Sequence, residues 1–319
     1  MSHTTLESVE QLVIAAGLDL GAVALIVAEA LDEDLGGRGA LPPGTGAGVD
    51  VTSIATVPAD ATAAAVFVAR AAGTVAGLPV AAYTMAKVCA AAGAFELEPM
   101  VADGDQVVRG DVLASITGNA RAILRAERIA LNLLTSMSGV ATATAAWVDA
   151  LAGTGAAVRD SRKTIPGMRM LHKYAVRIGG GVNHRMCLAD AALIKDNHVV
   201  AAGGVVEAYE AVRTAFPEIG IQVEVTTAEQ ARAVVGAGAT DILLDNMTAE
   251  QMRAIVDELH GRATFEASGG LSVQDAAAVA ASGVNYLAVG AITHSPKILD
   301  IALDFVPKPQ TSGNLSSVR

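Results

Sequence analysis

In the second half of the chain, short apolar runs repeatedly end in residues that bind anions. Arg162 and Lys163 follow "AAVRDS", Lys195 closes "AALI" ahead of Asp196, Asn197 and His198, Glu224 sits in "IQVEVTT", and Asp245 ends "TDILL". Ser268, Gly269 and Gly270 end "ATFEASGG", and Gly290 lies in "VNYLAVGA". Arginine presents a planar fork suited to carboxylate or phosphate, and lysine a compact point charge. The glycines let main-chain N–H groups approach a phosphate. Glu224 and Asp245 could hold ribose hydroxyls or a Mg2+ ion, which takes oxygen ligands and keeps much of its water. The chemistry implied is the capture and reaction of a substrate bearing several carboxylates or phosphates.

The densest cationic stretch is "DSRKTIPGMRMLHKYAVRIGGGVNHR", residues 160–185, in a protein whose formal net charge is -11. A local concentration against the general sign of the molecule marks an anion site. Plainer roles compete for single residues. Asp245 could cap the helix after it, and Gly179 to Gly181 could be either a tight turn or a direct ligand contact. His172 and His260 read as surface histidines, and Cys187 as packed rather than reactive.

These residues need a scaffold that brings strand ends together. The six apolar runs, from "AAVRDSR" to "VNYLAVGA", alternate with amphipathic segments such as "TAEQARAVVGAGA", "TAEQMRAIVDELHG" and "SVQDAAAVAASG", each with a Thr or Ser start and a Gly stop. Repeated β-then-α units imply a parallel sheet, and a run this long suggests a barrel of TIM type whose loops gather at one face. Six strands rather than eight predict an incomplete barrel. Earlier in the chain, residues 8–34 predict two helices broken around Gly17-Leu18-Asp19, and 36–50 a turn-rich loop. The pattern turns strand-like from Ala63. "MVADGDQVVRGDVLASITG" predicts a β-hairpin resembling that of a biotinyl or lipoyl domain, but Asp103, Gly104 and Asp105 hold the turns and the carrier lysine is missing. Residues 121–150 predict one or two helices, and "VPKPQTSGNLSSVR" a mobile end.

Composition excludes several classes. The chain has 319 residues, 52% of them hydrophobic, enough for a large core and two domains or one barrel with attachments. Its acidic balance and 3% aromatics argue against a nucleic-acid surface. Cys89 and Cys187 form no CxxC pair, so neither a disulfide framework nor structural zinc is expected. Glu7 and Glu10 stand where an export signal needs an apolar run. Apolar stretches read as broken well short of the roughly 20 residues a membrane helix needs. A soluble, cytoplasmic protein is expected.

Taken in order, "ERIALNLLTSMSGVAT", "DSRKTIPGMRMLHKYAVRIGGGVNHR", "AALIKDNH", "VEV", "ILLDN", "EASGG" and "VGAITHS" resemble quinolinate phosphoribosyltransferase, also called carboxylating nicotinate-nucleotide pyrophosphorylase, from about residue 24 to residue 305. The resemblance implies conversion of quinolinate and phosphoribosyl pyrophosphate to nicotinate mononucleotide, pyrophosphate and CO2, with Mg2+, in de novo NAD synthesis. It implies an α/β fold with an N-terminal α/β sandwich, here residues 1–138 joined by 294–319, and an incomplete TIM-like α/β barrel over 139–293. It also implies a homodimer in which Arg128 reaches the quinolinate of the partner subunit. Arg162, His184, Arg185 and Lys195 would line the pyridine dicarboxylate, and Lys163 would face the pyrophosphate. Glu224 and Asp245 match the acidic pair near the ribose and metal, directly or through water. Ser268, Gly269, Gly270 and Gly290 match the 5'-phosphate site. Ser161 stands where Thr is usual, His172 where Glu or Gln is usual, and Thr226 where a second acid often follows Glu224, which bears on the metal shell. The loop "ALPPGTGAG" is longer than typical. A relative acting on another small ring acid is the nearest rival, and a non-catalytic metabolite sensor a more distant one. A cationic lining for two carboxylates favours quinolinate over the first, and Glu224, Asp245 and Lys163 speak against the second.

Overall fold

Helix caps start the chain as its sequence dictates. Thr5 and Ser8 satisfy each other's main chain at the start of α1 (Leu6–Ala15), and the Asp19 carboxylate accepts the Ala22 N–H at 2.7 Å to open α2 (Leu20–Asp34). Gly17 breaks the two with a φ of 74°. The computed structural model describes residues 4–37 and 48–307. Most of the 36–50 loop and the tail from residue 308 lie outside the described residues. The described residues form two units, one running to Ser136 and resuming at Leu299, the other spanning Met137–Ile298.

The first unit continues with α3 (Val51–Thr56), β1 (Thr62–Ala69), β2 (Gly73–Thr74), α4 (Leu78–Cys89), β3 (Glu96–Pro99), β4 (Gln106–Val107) and β5 (Val112–Asn119). The C-terminal strand Ile301–Phe305, β1, β5 and β3 form an antiparallel sheet in that order. The hairpin expected over 100–118 is not formed. β4 pairs with β2, whereas β5 pairs with β1 and β3. The Asp103 carboxylate explains the split, because it accepts the N–H groups of Gly77 and Leu78 at 2.7 and 2.9 Å and ties the acidic turn to the start of α4. α4 is buried along nearly its whole length, so its sequence shows no amphipathic period.

α5 (Ala120–Ala150) is one unbroken helix that contributes to both units. Contrary to expectation, it contains a window long and apolar enough to cross a membrane by length and composition, but 67% of that window is buried within the protein. The helix serves as core.

The second unit comprises β6 (Ala157–Arg159), α6 (Arg169–Ile178), β7 (Ala191–Ile194), α7 (Asp196–Ala202), α8 (Val205–Ala215), β8 (Gly220–Val225), α9 (Ala228–Gly236), β9 (Asp241–Asp245), α10 (Ala249–Leu259), β10 (Thr264–Ser268), α11 (Ala276–Ala280), β11 (Tyr286–Ala288) and α12 (Ala291–His294), after which β12 (Ile301–Phe305) returns to the first sheet. The six strands are parallel, in the order β6-β11-β10-β9-β8-β7. β6 and β7 do not pair, and a single bridge from Arg159 to Val182 borders the opening. Val158, Val223, Ile242, Leu244, Phe265 and Leu287 are buried along these strands, each contributing about 1.5–3 kcal/mol by leaving water. The Thr227 and Thr248 side chains accept the N–H groups of Gln230 and Gln251, confirming the start signals of α9 and α10.

Two expectations about α6 and the turn after it need correction. His172 is 1% exposed rather than superficial, because α6 packs against α12. Burial pushes its pKa down, opposed by a main-chain hydrogen bond with Thr293. His260 is exposed, as expected. Gly179 to Gly181 is a turn whose composition answers to helix packing. A Cβ on Gly179 would lie 2.5 Å from the Ala141 carbonyl oxygen, and one on Gly181 2.7 Å from Thr144 Cγ2.

Candidate active site

Parallel strands in register deliver their C-terminal ends side by side. Asp245 stands opposite Ser268, Glu224 opposite Leu243, and Arg159 opposite Ala288. A cavity of about 690 Å³ opens at these ends. It is lined by Arg162, Lys163, His184, Arg185, Lys195, Glu224, Asp245, Ser268, Gly269, Gly270 and Gly290, so the expected barrel residues come together. Arg128 is exposed on α5 in the first unit and does not line the cavity.

The cations of the cavity are unevenly neutralised. Among the described residues the Arg162 side chain has no hydrogen-bond or ion-pair partner, and its buried Nε is unsatisfied. Arg185 donates through Nη1 to the Ala191 carbonyl at 2.8 Å. Burial pushes the Arg185 pKa down, and the like charge of Arg162 pushes it further the same way. Two guanidiniums confined together favour an anion between them. The main chain at Lys163 is held by the Thr293 hydroxyl, which donates to its carbonyl at 2.9 Å, and the exposed side chain passes close over Gly290. Lys195, by contrast, is engaged with Glu224 at 2.7 Å. Ser161 accepts the Lys163 N–H at 3.0 Å and shapes this loop.

Opposite lie the acids and glycines. Asp245 Oδ2 accepts from Asn246 Nδ2 at 2.7 Å, and Asp245 does not cap α10, a task that falls to Thr248. Asn246 has a φ of 54°, the one positive value outside glycine among the described residues. Gly269 has a φ of 103°, and a Cβ there would meet Asn246 Oδ1 at 2.2 Å, so only glycine fits. The N–H groups of Gly269 and Gly270 have no acceptor among the described residues, leaving them able to receive a phosphate. Thr226 is turned to Gln230, which accepts from its N–H at 2.8 Å, and it does not line the cavity. No group of three or more His, Cys, Asp or Glu side chains able to hold a metal occurs among the described residues. The pair Glu224 and Asp245 suits a Mg2+ that keeps its waters and is held jointly with substrate phosphates.

Several residues at the floor of the cavity, Asp160 and Glu266 among its lining, and others behind them escaped the sequence reading. Lys173 and Asp160 are wholly buried and joined by a salt bridge. Lys173 also donates to the His184 carbonyl at 2.8 Å, while Asp160 accepts from the His184 N–H at 2.8 Å and from Asn183 at 2.6 Å. Burial pushes the Lys173 pKa down and the bond to Asp160 opposes it. Arg159 pairs with Glu266 at 2.7 Å and stacks over the Tyr286 ring at 3.9 Å. Gln222 and Glu266 precede Glu224 and Ser268 by two positions, hence on the same strand face, a signal that was present. Cys187 is exposed, not packed, because it lies on the loop between Arg185 and β7 where Asp190 accepts its N–H.

Sequence and structure comparisons place this architecture in a family. The models for the N-terminal and C-terminal domains of quinolinate phosphoribosyl transferase match residues 50–138 and 140–304. The nicotinate-nucleotide pyrophosphorylase (carboxylating) of Mycobacterium leprae is 49% identical over 260 residues, 81% of this chain and 91% of that protein. The quinolinate phosphoribosyltransferase (decarboxylating) 2b, mitochondrial, of Nicotiana tabacum is 38% identical over 293 residues, covering 86% of this chain and 79% of the relative. NadC from Streptococcus pyogenes superposes with a TM-score of 0.82 at 33% identity, covering 91% of this chain and 99% of that one. With both domains matched in order and relatives aligned over most of its length, the chain belongs to the quinolinate phosphoribosyltransferase family.

Proposed function

We infer that the protein transfers the phosphoribosyl group of phosphoribosyl pyrophosphate to quinolinate with decarboxylation, giving nicotinate mononucleotide, pyrophosphate and CO2 for NAD synthesis. The observation that carries this reading is the crowding of Arg162 and Arg185 in one cavity with no carboxylate among the described residues bonded to Arg162. Those guanidiniums hold the two carboxylates of quinolinate and aim the ring nitrogen at C1 of the ribose. Gly269, Gly270 and Gly290 receive the 5'-phosphate, and Lys163 neutralises the departing pyrophosphate. As the C1–O bond breaks, its electron pair leaves with pyrophosphate and C1 acquires oxocarbenium character. Glu224 and Asp245 stabilise that positive carbon. Aligning the two substrates removes about 7–11 kcal/mol from the barrier in well-ordered cases. Once the nitrogen is alkylated, its positive charge stabilises the electron pair left on the adjacent ring carbon as the carboxylate departs as CO2, and a proton from solvent then occupies that carbon. A Mg2+ held near Glu224 and Asp245 would bring the pyrophosphate its countercharge.

Arg128, exposed on α5, is proposed to complete the site of a second copy in a homodimer. Both cysteines are free thiols, which suits a reducing cytoplasm, the proposed location. The test is release of labelled CO2 from carboxyl-labelled quinolinate in the presence of phosphoribosyl pyrophosphate. One CO2 per nicotinate mononucleotide is expected. Equal turnover of nicotinate, or product without CO2, would assign the cavity to another ring acid.

A further inference from the structure

Below the cavity rim, a layer of polar side chains crosses the barrel strands, and its hydrogen bonds admit only one polarity. Glu266 is fully buried, and its Oε2 accepts from Arg159 Nη1 at 2.7 Å and from Gln222 Nε2 at 3.1 Å. Gln222, 3% exposed, also donates from Nε2 to Asp241 Oδ1 at 3.0 Å. Ionised carboxylates only accept, so the amide of Gln222 must turn its NH2 toward them. Its Oε1 therefore faces His184, 2.8 Å from Nε2. An amide oxygen also only accepts, so His184 must carry its proton on Nε2. Nδ1 is left with a lone pair, and it receives the main-chain N–H of Arg185 at 2.7 Å. Both ring nitrogens are thus engaged within the protein. The second oxygen of Glu266, Oε1, has no hydrogen-bond partner among the described residues and lies 3.8 Å from His184 Nε2. A carboxylate oxygen placed there stabilises an N–H at Nε2 and opposes transfer of the proton to Nδ1.

We propose that Glu266 is a positioning residue for substrate binding. Acting through Gln222, it fixes the Nε2-protonated tautomer of His184 and thereby the main chain of Arg185, whose guanidinium meets the substrate carboxylates. The inference rests on the quinolinate reading above only for its kinetic consequence. His184 then serves the dicarboxylate by orienting Arg185 and not through a free ring nitrogen. Histidine tautomers selected by a partner on the far nitrogen are a general device, and loss of the selecting group misplaces the chemistry that depends on them.

The test uses the full-length enzyme labelled with 15N at histidine, the His184 signals being identified by their loss in His184→Asn. The wild type is expected to show His184 protonated on Nε2. In Glu266→Gln the new NH2 faces Nε2, so a mixture with the Nδ1-protonated form is expected. The KM for quinolinate should then rise by at least about tenfold, the scale of a hydrogen bond to a charged group, with the KM for phosphoribosyl pyrophosphate within about twofold of wild type. Gln222→Leu, which cuts the relay while keeping its volume, should reproduce the quinolinate effect. A wild-type spectrum with the proton on Nδ1 would overturn the proposal, whatever the variants do. So would an unchanged quinolinate KM in Glu266→Gln, or an equal rise for both substrates. If the wild type turns over no quinolinate, the functional reading fails, and the spectra still decide the relay.

Discussion

The barrel contains two sets of cations that differ in what neutralises them. Arg159 and Lys173 lie below the cavity and are matched by buried carboxylates, Glu266 and Asp160. Among the described residues, Arg162 has no hydrogen-bond partner and Arg185 only a main-chain one, and the charge of Arg162 weakens the hold of Arg185 on its proton. Charges of the first kind are neutralised before any ligand arrives, so they set geometry. Those of the second kind are left for the ligand, so they bind. The same side-chain chemistry serves architecture or recognition according to whether the protein supplies the counter-ion.

Breaking the lower set should have the largest effect. Lys173→Met leaves Asp160 buried without its cation and should destabilise the protein by about 3–5 kcal/mol, read from urea unfolding. Loss of less than a third of that would mean that water reaches Asp160 and that the lower set is not sealed. Breaking the upper set should spare the fold. Arg162→Ala is expected to lower kcat/KM for quinolinate by about a hundred- to a thousandfold, the scale of losing a bidentate pair of charge-assisted hydrogen bonds to a carboxylate. Its melting temperature should be unchanged or raised, since Arg185 loses a like-charged neighbour, and a substantially lowered one would erase the distinction between the sets.

The smallest effect sharpens the comparison with a third kind of basic group, one kept neutral by burial. His172 has its pKa lowered in the folded state. Below about pH 6.5 the unfolded chain binds a proton that the folded His172 refuses, so its contribution is full above that value and is lost as pH falls toward and through the folded pKa. The slope reaches at most about 1.4 kcal/mol per pH unit. Melting temperatures of the wild type and His172→Gln, compared between about pH 7 and about pH 5, should converge toward acid if the wild type starts higher, because only the wild type carries this loss.

How much of this was legible follows from what each residue shows to a reader of one dimension. The six barrel strands were readable because both faces of a parallel strand are covered, giving unbroken apolar runs such as "ILL" and "AALI", and their polar ends named the cavity. Lys173 and His172 were not readable, since a charged or titratable residue in an amphipathic helix looks solvated until its tertiary neighbours are known. Gln222 and Glu266 were legible in principle, two positions before Glu224 and Ser268 on the same strand face, but only their tertiary partners show that they are buried and bonded to each other. α4 carried no period because it has no wet face. In "MVADGDQVVRGDVLASITG" the alternation correctly announced strands, but the partner of β4 is β2, and only the long-range bond from Asp103 decides that.

The glycines at 179–181 give the barrel an unsuspected control point. Because Gly179 and Gly181 rest against Ala141 and Thr144, the surface of α5 acts as a gauge for where the chain leading to Asn183, His184 and Arg185 may run. Bulk added on that helix would be transmitted as a shift of the anion receptor. Tuning of substrate affinity is therefore open to residues that no substrate ever touches.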